Sequence, residues 1–305
     1  MKFLPLNSRI LAFLELARPH NVIVALLNTL VGVLTAEWLL GCGCSASSAK
    51  AIVYALLAVA LVSAGGYAIN DYFDADIDAI EKPYRPIPSG RVSHGEAYAY
   101  ALLLMGGGVV AGFFVSLLHG VYALLVAALL YLYPWRMKRG SALAGHFTVA
   151  FTGASTILYG GLAVGVCCGN LLGALQAVSI PFVYALILIL AREFVKALED
   201  QRGDAARGAH TIATVYGSRV ARIASTILLA LVALISPLPF LLGPYTLLYL
   251  LPALIVAALC IYSILLIARS EYAAARRVLK IAFGVGGLAF LLDPLAGLWG
   301  SVWRV

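Results

Sequence analysis

The chain has 305 residues, of which 63% are hydrophobic and only 11% carry charge. Soluble domains average about 25% charged residues, so this composition excludes an ordinary soluble enzyme and indicates a membrane protein with several spans. The net charge of +7 does not indicate nucleic-acid binding, because basic residues along one membrane face would attract anionic lipids or an anionic substrate.

Nine apolar runs follow one another along the chain, each about 15–30 residues long against the roughly 20 that a spanning helix needs. The N-terminal stretch MKFLPLNSRILAFLELARPH leads directly into the first run, so we expect that run to remain as a membrane anchor. We therefore predict an all-α membrane protein with nine transmembrane helices in one domain, residues 1–305. The runs cover approximately residues 21–40, 51–70, 97–118, 120–135, 141–166, 171–196, 216–236, 238–268 and 279–300.

The basic residues predict the orientation of these spans. If the loops alternate between the two membrane faces, nineteen of the 21 Lys and Arg residues fall on the face that also holds the N-terminus. Only Lys50 and Arg304 fall on the other face. The positive-inside rule then places the N-terminus on the cytoplasmic side of the cell membrane.

Two short stretches hold nine of the fourteen acidic residues, and both fall on the predicted cytoplasmic face. The first, NDYFDADIDAIEKPYRPIPSGR, follows the second apolar run, and the second, REFVKALEDQRGD, follows the sixth. The offset of 130 residues from Asn70 to Asp200, with four spans per unit, predicts a duplicated half, with repeats of about 1–140 and 141–305.

Helical spacing places most of these acidic residues on one face of each stretch. At 100° per residue, Asp76 and Glu199 fall away from the two faces, and we assign both to ordinary solvated helix ends. A single arc of about 100° collects the other polar residues of the first stretch, and a similar arc collects those of the second. The first face carries Asn70, Asp71, Asp74 and Asp78, and the second carries Glu193, Lys196, Asp200 and Asp204.

Carboxylates one helical turn apart repel each other, so near a membrane they persist only where protons or a cation neutralise them. The ligands are oxygen atoms alone, without His or Cys close by, which favours Mg²⁺ completed by phosphate oxygens over zinc. Basic residues among the acids suit a diphosphate. Three of these, Lys82, Arg85 and Arg91, lie in a loop that Pro83, Pro86 and Pro88 make stiff.

With this spacing, Asn70-Asp71-x-x-Asp74-x-x-x-Asp78 followed by RPIPSGRVS resembles the first signature of the UbiA superfamily of intramembrane prenyltransferases. Asp200-x-x-x-Asp204 followed by GAHTIATVYG resembles the second. The resemblance implies a nine-helix bundle around a central cavity with a cytoplasmic cap. It also implies that Asn70 and these five aspartates form the catalytic site, in which the aspartates bind Mg²⁺ and the diphosphate of an isoprenyl donor.

Further site residues are candidates on the same resemblance. We predict diphosphate contacts for Asn70, Lys82, Arg85, Lys138 and Lys196. Lys138 lies in YPWRMKRG after the fourth run, where a topological signal is the alternative. The ARPHN stretch also resembles the family, so Arg18 and Asn21 are candidate substrate-binding residues; for Arg18 the alternative is a snorkelling side chain.

Within the superfamily, the second stretch is most similar to the archaeal digeranylgeranylglyceryl phosphate synthases. That implies transfer of a geranylgeranyl group to a lipid acceptor, geranylgeranylglyceryl phosphate, in ether-lipid synthesis. Ala197 departs from the subgroup, which often has an acidic residue there, so an aromatic acceptor of the 4-hydroxybenzoate type stays open. An ion or proton transporter is the alternative of another class, although its carboxylates should lie at mid-depth. The CDP-alcohol phosphotransferase motif fails at Ala75, where it requires Gly.

The cysteines and histidines carry one further hypothesis. Disulfides persist outside the reducing cytoplasm, so we expect a bridge between two loops of the non-cytoplasmic face, with small apolar loop residues as the alternative. The first loop contains Cys42 and Cys44, and the second contains Cys167 and Cys168. The histidines, His146 among them, are expected to be lone interfacial residues, because none pairs with another at ligand spacing.

Overall fold

The computed structural model describes residues 6–42, 46–137, 140–206 and 208–302. Helices dominate these ranges and no strand forms within them, which confirms the all-α fold. The first half contains α1 (Leu6–Ala17), α2 (Pro19–Leu40), α3 (Ala46–Phe73), α4 (Ala75–Glu81), α5 (His94–Val115), α6 (Leu117–Leu132) and a π-helical turn (Tyr133–Met137). The second half contains α7 (Ala142–Cys167), α8 (Leu171–Glu199), α9 (Gln201–Ala206), α10 (Ile212–Val215), α11 (Gly217–Ile235), α12 (Leu238–Leu242), α13 (Leu247–Ala268) and α14 (Tyr272–Val302).

The described ranges contain nine helical stretches that are long and apolar enough to cross a membrane, as predicted, and the protein is a multi-pass membrane protein. The limits differ most in the predicted run 238–268. Its first residues belong to the seventh stretch, Gly217–Leu242, and the eighth begins at Leu247. Gly243 is extended there, Pro244 cannot donate a helical hydrogen bond, and the Thr246 side chain caps α13.

One compact unit contains α1, α2 as far as Thr29, and the chain from α3 to Arg136. Its central helix is α3, which contacts α1, α4, α5 and α6. A Cβ added to Gly108 would lie 2.8 Å from the backbone nitrogen of Val62, and one added to Gly65 would lie 2.8 Å from the carbonyl oxygen of Ala101. These glycines therefore let the α3 and α5 backbones pack in direct contact, as small residues do in membrane helix pairs.

The second compact unit contains α2 from Leu30 and the chain from Met137 onward. Its central helix is α8, which packs against α7, α11 and α14, while α13 packs against α11 and α14. A Cβ on Gly161 of α7 would lie 2.5 Å from Val178 Cγ1 of α8. The last part of α2 approaches α7 even more closely, since a Cβ on Gly32 would overlap the carbonyl oxygen of Ile157.

A disulfide joins Cys42, after α2, to Cys168, after α7, with their Cα atoms 6.1 Å apart. This confirms the hypothesis of a bridge between the two loops and selects one of the four possible pairs. Cys167 is an exposed free thiol, whereas Cys260 is buried among the side chains of α13 and its neighbours. Cys44 lies outside the described residues.

Candidate active site

The first acidic stretch forms a junction between α3 and α4 in the first unit. A helical bonding pattern continues across it, because Asp74 N–H donates to the Asn70 carbonyl at 3.0 Å and Asp78 N–H donates to the Asp74 carbonyl at 2.8 Å. The helical phase is therefore preserved, and Asp76 is exposed. Asp71 and Asp78 are buried, being 5% and 3% exposed.

Arg85 joins the two buried carboxylates of this junction. Its Nη1 donates to Asp78 Oδ2 at 2.5 Å and to Asp71 Oδ1 at 3.1 Å. Lys82 Nζ lies 3.8 Å from the other Asp78 oxygen. The charge on these carboxylates is thus balanced by basic residues of the following loop, in an environment where carboxylates without a counter-charge would repel each other strongly.

Arg18, at the break between α1 and α2, also binds the Asp71 carboxylate. Its Nη2 donates to Asp71 Oδ1, and its guanidinium lies over the Tyr67 ring, 5.5 Å from the centroid. The residue has a positive φ of 49°, which is uncommon for a residue other than glycine. Asn21, half-buried in the next turn, donates its N–H to the Arg18 carbonyl at 2.9 Å.

The proline-containing loop that carries Arg85 is fixed by its own hydrogen bonds. Arg85 N–H donates to the Lys82 carbonyl, and Val92 N–H donates to the Pro86 carbonyl at 3.1 Å. Arg91 forms a bidentate ion pair with Glu15 of α1, with N–O distances of 3.0 and 2.6 Å. The hydrogen bonds to this carboxylate raise the pKa of the Arg91 guanidinium. The loop is therefore anchored at both ends, which positions Arg85.

The second acidic stretch forms a junction of the same kind in the second unit. Helix α8 ends at Glu199, and Gly203 lies within α9. Asp200 stands at the break with φ −89° and ψ 2°, and Asp74 has φ −91° and ψ 1° at the first junction. Asp204 N–H donates to the Asp200 carbonyl at 2.9 Å, so here too helical phase is kept. Asp74 and Asp78 precede Asp200 and Asp204 by 126 residues.

Residues from α7 and α10 adjoin this second junction. Ile212 N–H, at the start of α10, donates to His146 Nε2 at 3.3 Å, and the His146 ring packs edge-on against Phe194. His146 therefore connects α7 to α8 and α10 beside the second junction.

A family model described as the UbiA prenyltransferase family matches residues 25–292 of the chain. The chain belongs to the UbiA prenyltransferase family. It is therefore an enzyme that transfers prenyl groups, and an ion transporter or a CDP-alcohol phosphotransferase is set aside.

Relatives of this UbiA family member include a digeranylgeranylglyceryl phosphate synthase of Hyperthermus butylicus, 42% identical over 91% of the chain and 95% of the relative. The Sulfolobus acidocaldarius protein of the same description is 35% identical, and the match covers 93% of the chain and 98% of that relative. A solved structure concerning digeranylgeranylglyceryl phosphate synthase superposes with a TM-score of 0.75 at 29% identity, covering 94% of the chain and 99% of that structure. A UbiA homologue from Archaeoglobus fulgidus bound to GPP and Mg²⁺ shares the fold, with a TM-score of 0.59 at 16% identity. The superposition covers 92% of the chain and 99% of that structure.

The donor set of this UbiA family member fits Mg²⁺ that arrives with a diphosphate. Within the described residues, no three Asp, Glu, His or Cys side chains form a metal site by themselves. A Mg²⁺ ion, however, needs only one or two carboxylates when waters and phosphate oxygens complete its octahedron. Asp71 and Asp78 both contact one nitrogen atom of Arg85, so the two carboxylates face the same point.

Two of the predicted site residues have less structural support than the rest. Lys196 is exposed on α8, one turn before Asp200. Lys138 lies outside the described residues. The structure also shows that Glu193, on the predicted face of Asp200, is buried. The hydrogen bond between His146 of α7 and Ile212 of α10 has no signal in the local sequence.

Proposed function

We propose that this protein transfers a geranylgeranyl group from geranylgeranyl diphosphate to the free hydroxyl of geranylgeranylglyceryl phosphate, in a Mg²⁺-dependent step of archaeal ether-lipid synthesis. The observation that carries the acceptor is the 42% identity, over nine-tenths of both chains, to a digeranylgeranylglyceryl phosphate synthase. The buried acidic junction with its basic loop supports the diphosphate part, because a departing diphosphate needs positively charged partners.

The resemblance to the family assigns carboxylates of both junctions to Mg²⁺ binding. Asp71, Asp74 and Asp78 of the first, with Asp200 and Asp204 of the second, would hold the ion, and Asn70 fixes Asp74 through its Nδ2–Oδ2 hydrogen bond of 3.0 Å. When bound, Mg²⁺ neutralises the charge that grows on the diphosphate as its ester bond breaks. The matching backbone of Asp74 and Asp200 supports a duplicated origin for the two halves.

Basic side chains of the chain complete the diphosphate site. Arg85, held in place by Asp71 and Asp78, offers further guanidinium N–H donors to phosphate oxygens, and Lys82 and Lys196 offer ammonium groups. Lys138, which precedes α7 in the sequence, stays a predicted member of this set. Arg18 and Asn21 orient the head group of a substrate beside Asp71. The apolar helices keep water away from the allylic cation until the acceptor hydroxyl captures it.

We place this site at the cytoplasmic face of the membrane. Two independent features support that orientation: the asymmetry of Lys and Arg, and the Cys42–Cys168 disulfide, which belongs in an oxidising compartment. Helix α8 begins at Leu171, three residues after Cys168, and its 29 residues end at Glu199, beside Asp200. At 1.5 Å per residue it is about 43 Å long, enough to put the two features on opposite membrane faces.

A two-acceptor assay tests the proposed function. Purified protein in lipid vesicles receives radiolabelled geranylgeranyl diphosphate and Mg²⁺, with geranylgeranylglyceryl phosphate in one reaction and 4-hydroxybenzoate in the other. We expect label in the lipid acceptor and none in the aromatic acid. Label in 4-hydroxybenzoate alone would assign the protein to aromatic prenylation, and absence of transfer to both acceptors would overturn the proposal.

A further inference from the structure

Glu193 is a buried carboxylate within a membrane-spanning helix. The residue is 8% exposed and lies in the last two turns of α8, before Glu199. Carboxylates inside membrane helices are energetically unfavourable and are retained where they bind or react. Its Oε1 lies 3.5 Å from Nη1 of the adjacent Arg192, with which it forms an ion pair. Adjacent residues point about 100° apart on a helix, so such a pair does not explain why Glu193 faces inward.

The direction of Glu193 follows from helix geometry. Asp200, the C-cap of α8, lies seven positions further along the chain, which is almost two full turns, so the two side chains fall on the same face. Glu193 lies about 10 Å further along the axis toward the membrane interior. The next residue, Phe194, packs against His146 of α7, so this part of α8 faces the interior of the helix bundle.

That depth matches a requirement of the proposed reaction. The reacting carbon of the donor lies beyond the diphosphate, on the side of the apolar tail, so it lies deeper than carboxylates that bind the diphosphate. An alcohol is a weak nucleophile whose proton must leave as the ether bond forms. A proton acceptor for that hydroxyl must therefore also lie deeper than Asp200, on the same face.

We propose that Glu193 is the proton acceptor for the acceptor hydroxyl, an inference that rests on the proposed function. The bond between the allylic carbon and the diphosphate oxygen breaks, and its electron pair leaves with the diphosphate. A lone pair of the hydroxyl oxygen forms the new C–O bond, and the hydroxyl proton passes to a Glu193 carboxylate oxygen.

The test separates breakage of the donor bond from capture by the alcohol. Glu193→Gln keeps the shape of the side chain but removes the proton acceptor. We expect ether formation to fall by about 100-fold or more, the usual range for loss of a general base. Breakage should continue, observed as scrambling of ¹⁸O from the bridging to the non-bridging positions of labelled geranylgeranyl diphosphate. Glu199→Gln is the matched control on the same helix, since Glu199 pairs with Arg276 away from this face, and its rate of ether formation per folded molecule should match wild type.

Chemical rescue distinguishes a reacting carboxylate from a structural one. Added formate should restore part of the ether formation in Glu193→Ala and should not affect Glu193→Gln, whose amide still fills the space. Unchanged ether formation in Glu193→Gln would overturn the inference, and so would parallel loss of scrambling and ether formation in a folded variant. If wild-type protein makes no ether product from any alcohol, it is the proposed function that fails.

Discussion

Arg85 donates from Nη1 to Asp78 Oδ2 at 2.5 Å and also contacts Asp71, so one guanidinium nitrogen holds two buried carboxylates together. Removing one partner of a buried ion pair leaves an uncompensated charge, which destabilises proteins by roughly 3–5 kcal/mol. Arg85→Ala should therefore lower the free energy of unfolding by about that amount and reduce turnover by about 100-fold or more. Thermal unfolding in detergent and the two-acceptor assay measure the two effects.

Two variants make this prediction specific. Arg85→Lys keeps the charge but cannot bridge two carboxylates in the same way, so its turnover should lie between that of wild type and that of Arg85→Ala. Arg91→Ala removes a basic residue from the same loop whose partner, Glu15, has a half-exposed side chain, and we expect a loss of about 1 kcal/mol or less. Equal stability of Arg85→Ala and Arg91→Ala would contradict the bridging role.

Asp74 and Asp200 stand at helix junctions with the same backbone conformation, so their variants should behave alike. Asp74→Asn and Asp200→Asn keep the size of the side chain but remove a Mg²⁺ ligand. Each should lower Mg²⁺-dependent turnover by about 100-fold or more, with an unchanged unfolding temperature. Asp76→Asn is the control, because Asp76 is exposed on the other side of α4. Near-normal turnover in either junction variant would remove that residue from the site.

The sequence predicted those features that depend on local periodicity. Hydrophobic runs of membrane length fixed the number of spans, and spacing by 100° placed Asp74 and Asp78 on one face, where helical hydrogen bonds now connect them. The sequence alone could not predict which basic side chain pairs with which carboxylate. Arg18 is 53 residues from Asp71, and their contact depends on the packing of α1 against α3, which leaves no local pattern in either segment.

The contrast between local periodicity and long-range packing also explains where the structure goes beyond the sequence. Glycine has low helix propensity, yet Gly203 lies within α9, and the helical segment is interrupted at Asp200 instead. His146 was set aside because no second histidine stands at ligand spacing, and its contacts with Phe194 of α8 and Ile212 of α10 are with residues 48 and 66 positions away. Cysteine positions limited the disulfide to four pairs, and the packing of α2 on α7 selects Cys42–Cys168.

The Cys42–Cys168 disulfide should contribute to stability. It closes a segment with a sequence separation of 126 residues, for which the chain-entropy model gives an upper value of about 5 kcal/mol. Cys42→Ser or Cys168→Ser should therefore lower the unfolding temperature, while Cys167→Ser, a free exposed thiol, should not. The unreduced, denatured protein should show three thiols, five cysteines less the bonded pair. Five thiols would contradict the bridge.

The exposed thiol of Cys167 provides a test of the proposed orientation. In a Cys44→Ser background, an impermeant maleimide should label Cys167 in intact cells, because this residue adjoins the disulfide at the non-cytoplasmic face. In a background that also carries Cys167→Ser, a cysteine placed by Asp76→Cys should react only after the membrane is permeabilised. Asp76 is exposed and lies in α4, directly after the α3 junction, so it reports the face that holds the acidic site. Labelling of the Asp76→Cys thiol in intact cells would place that site outside and contradict the positive-inside assignment.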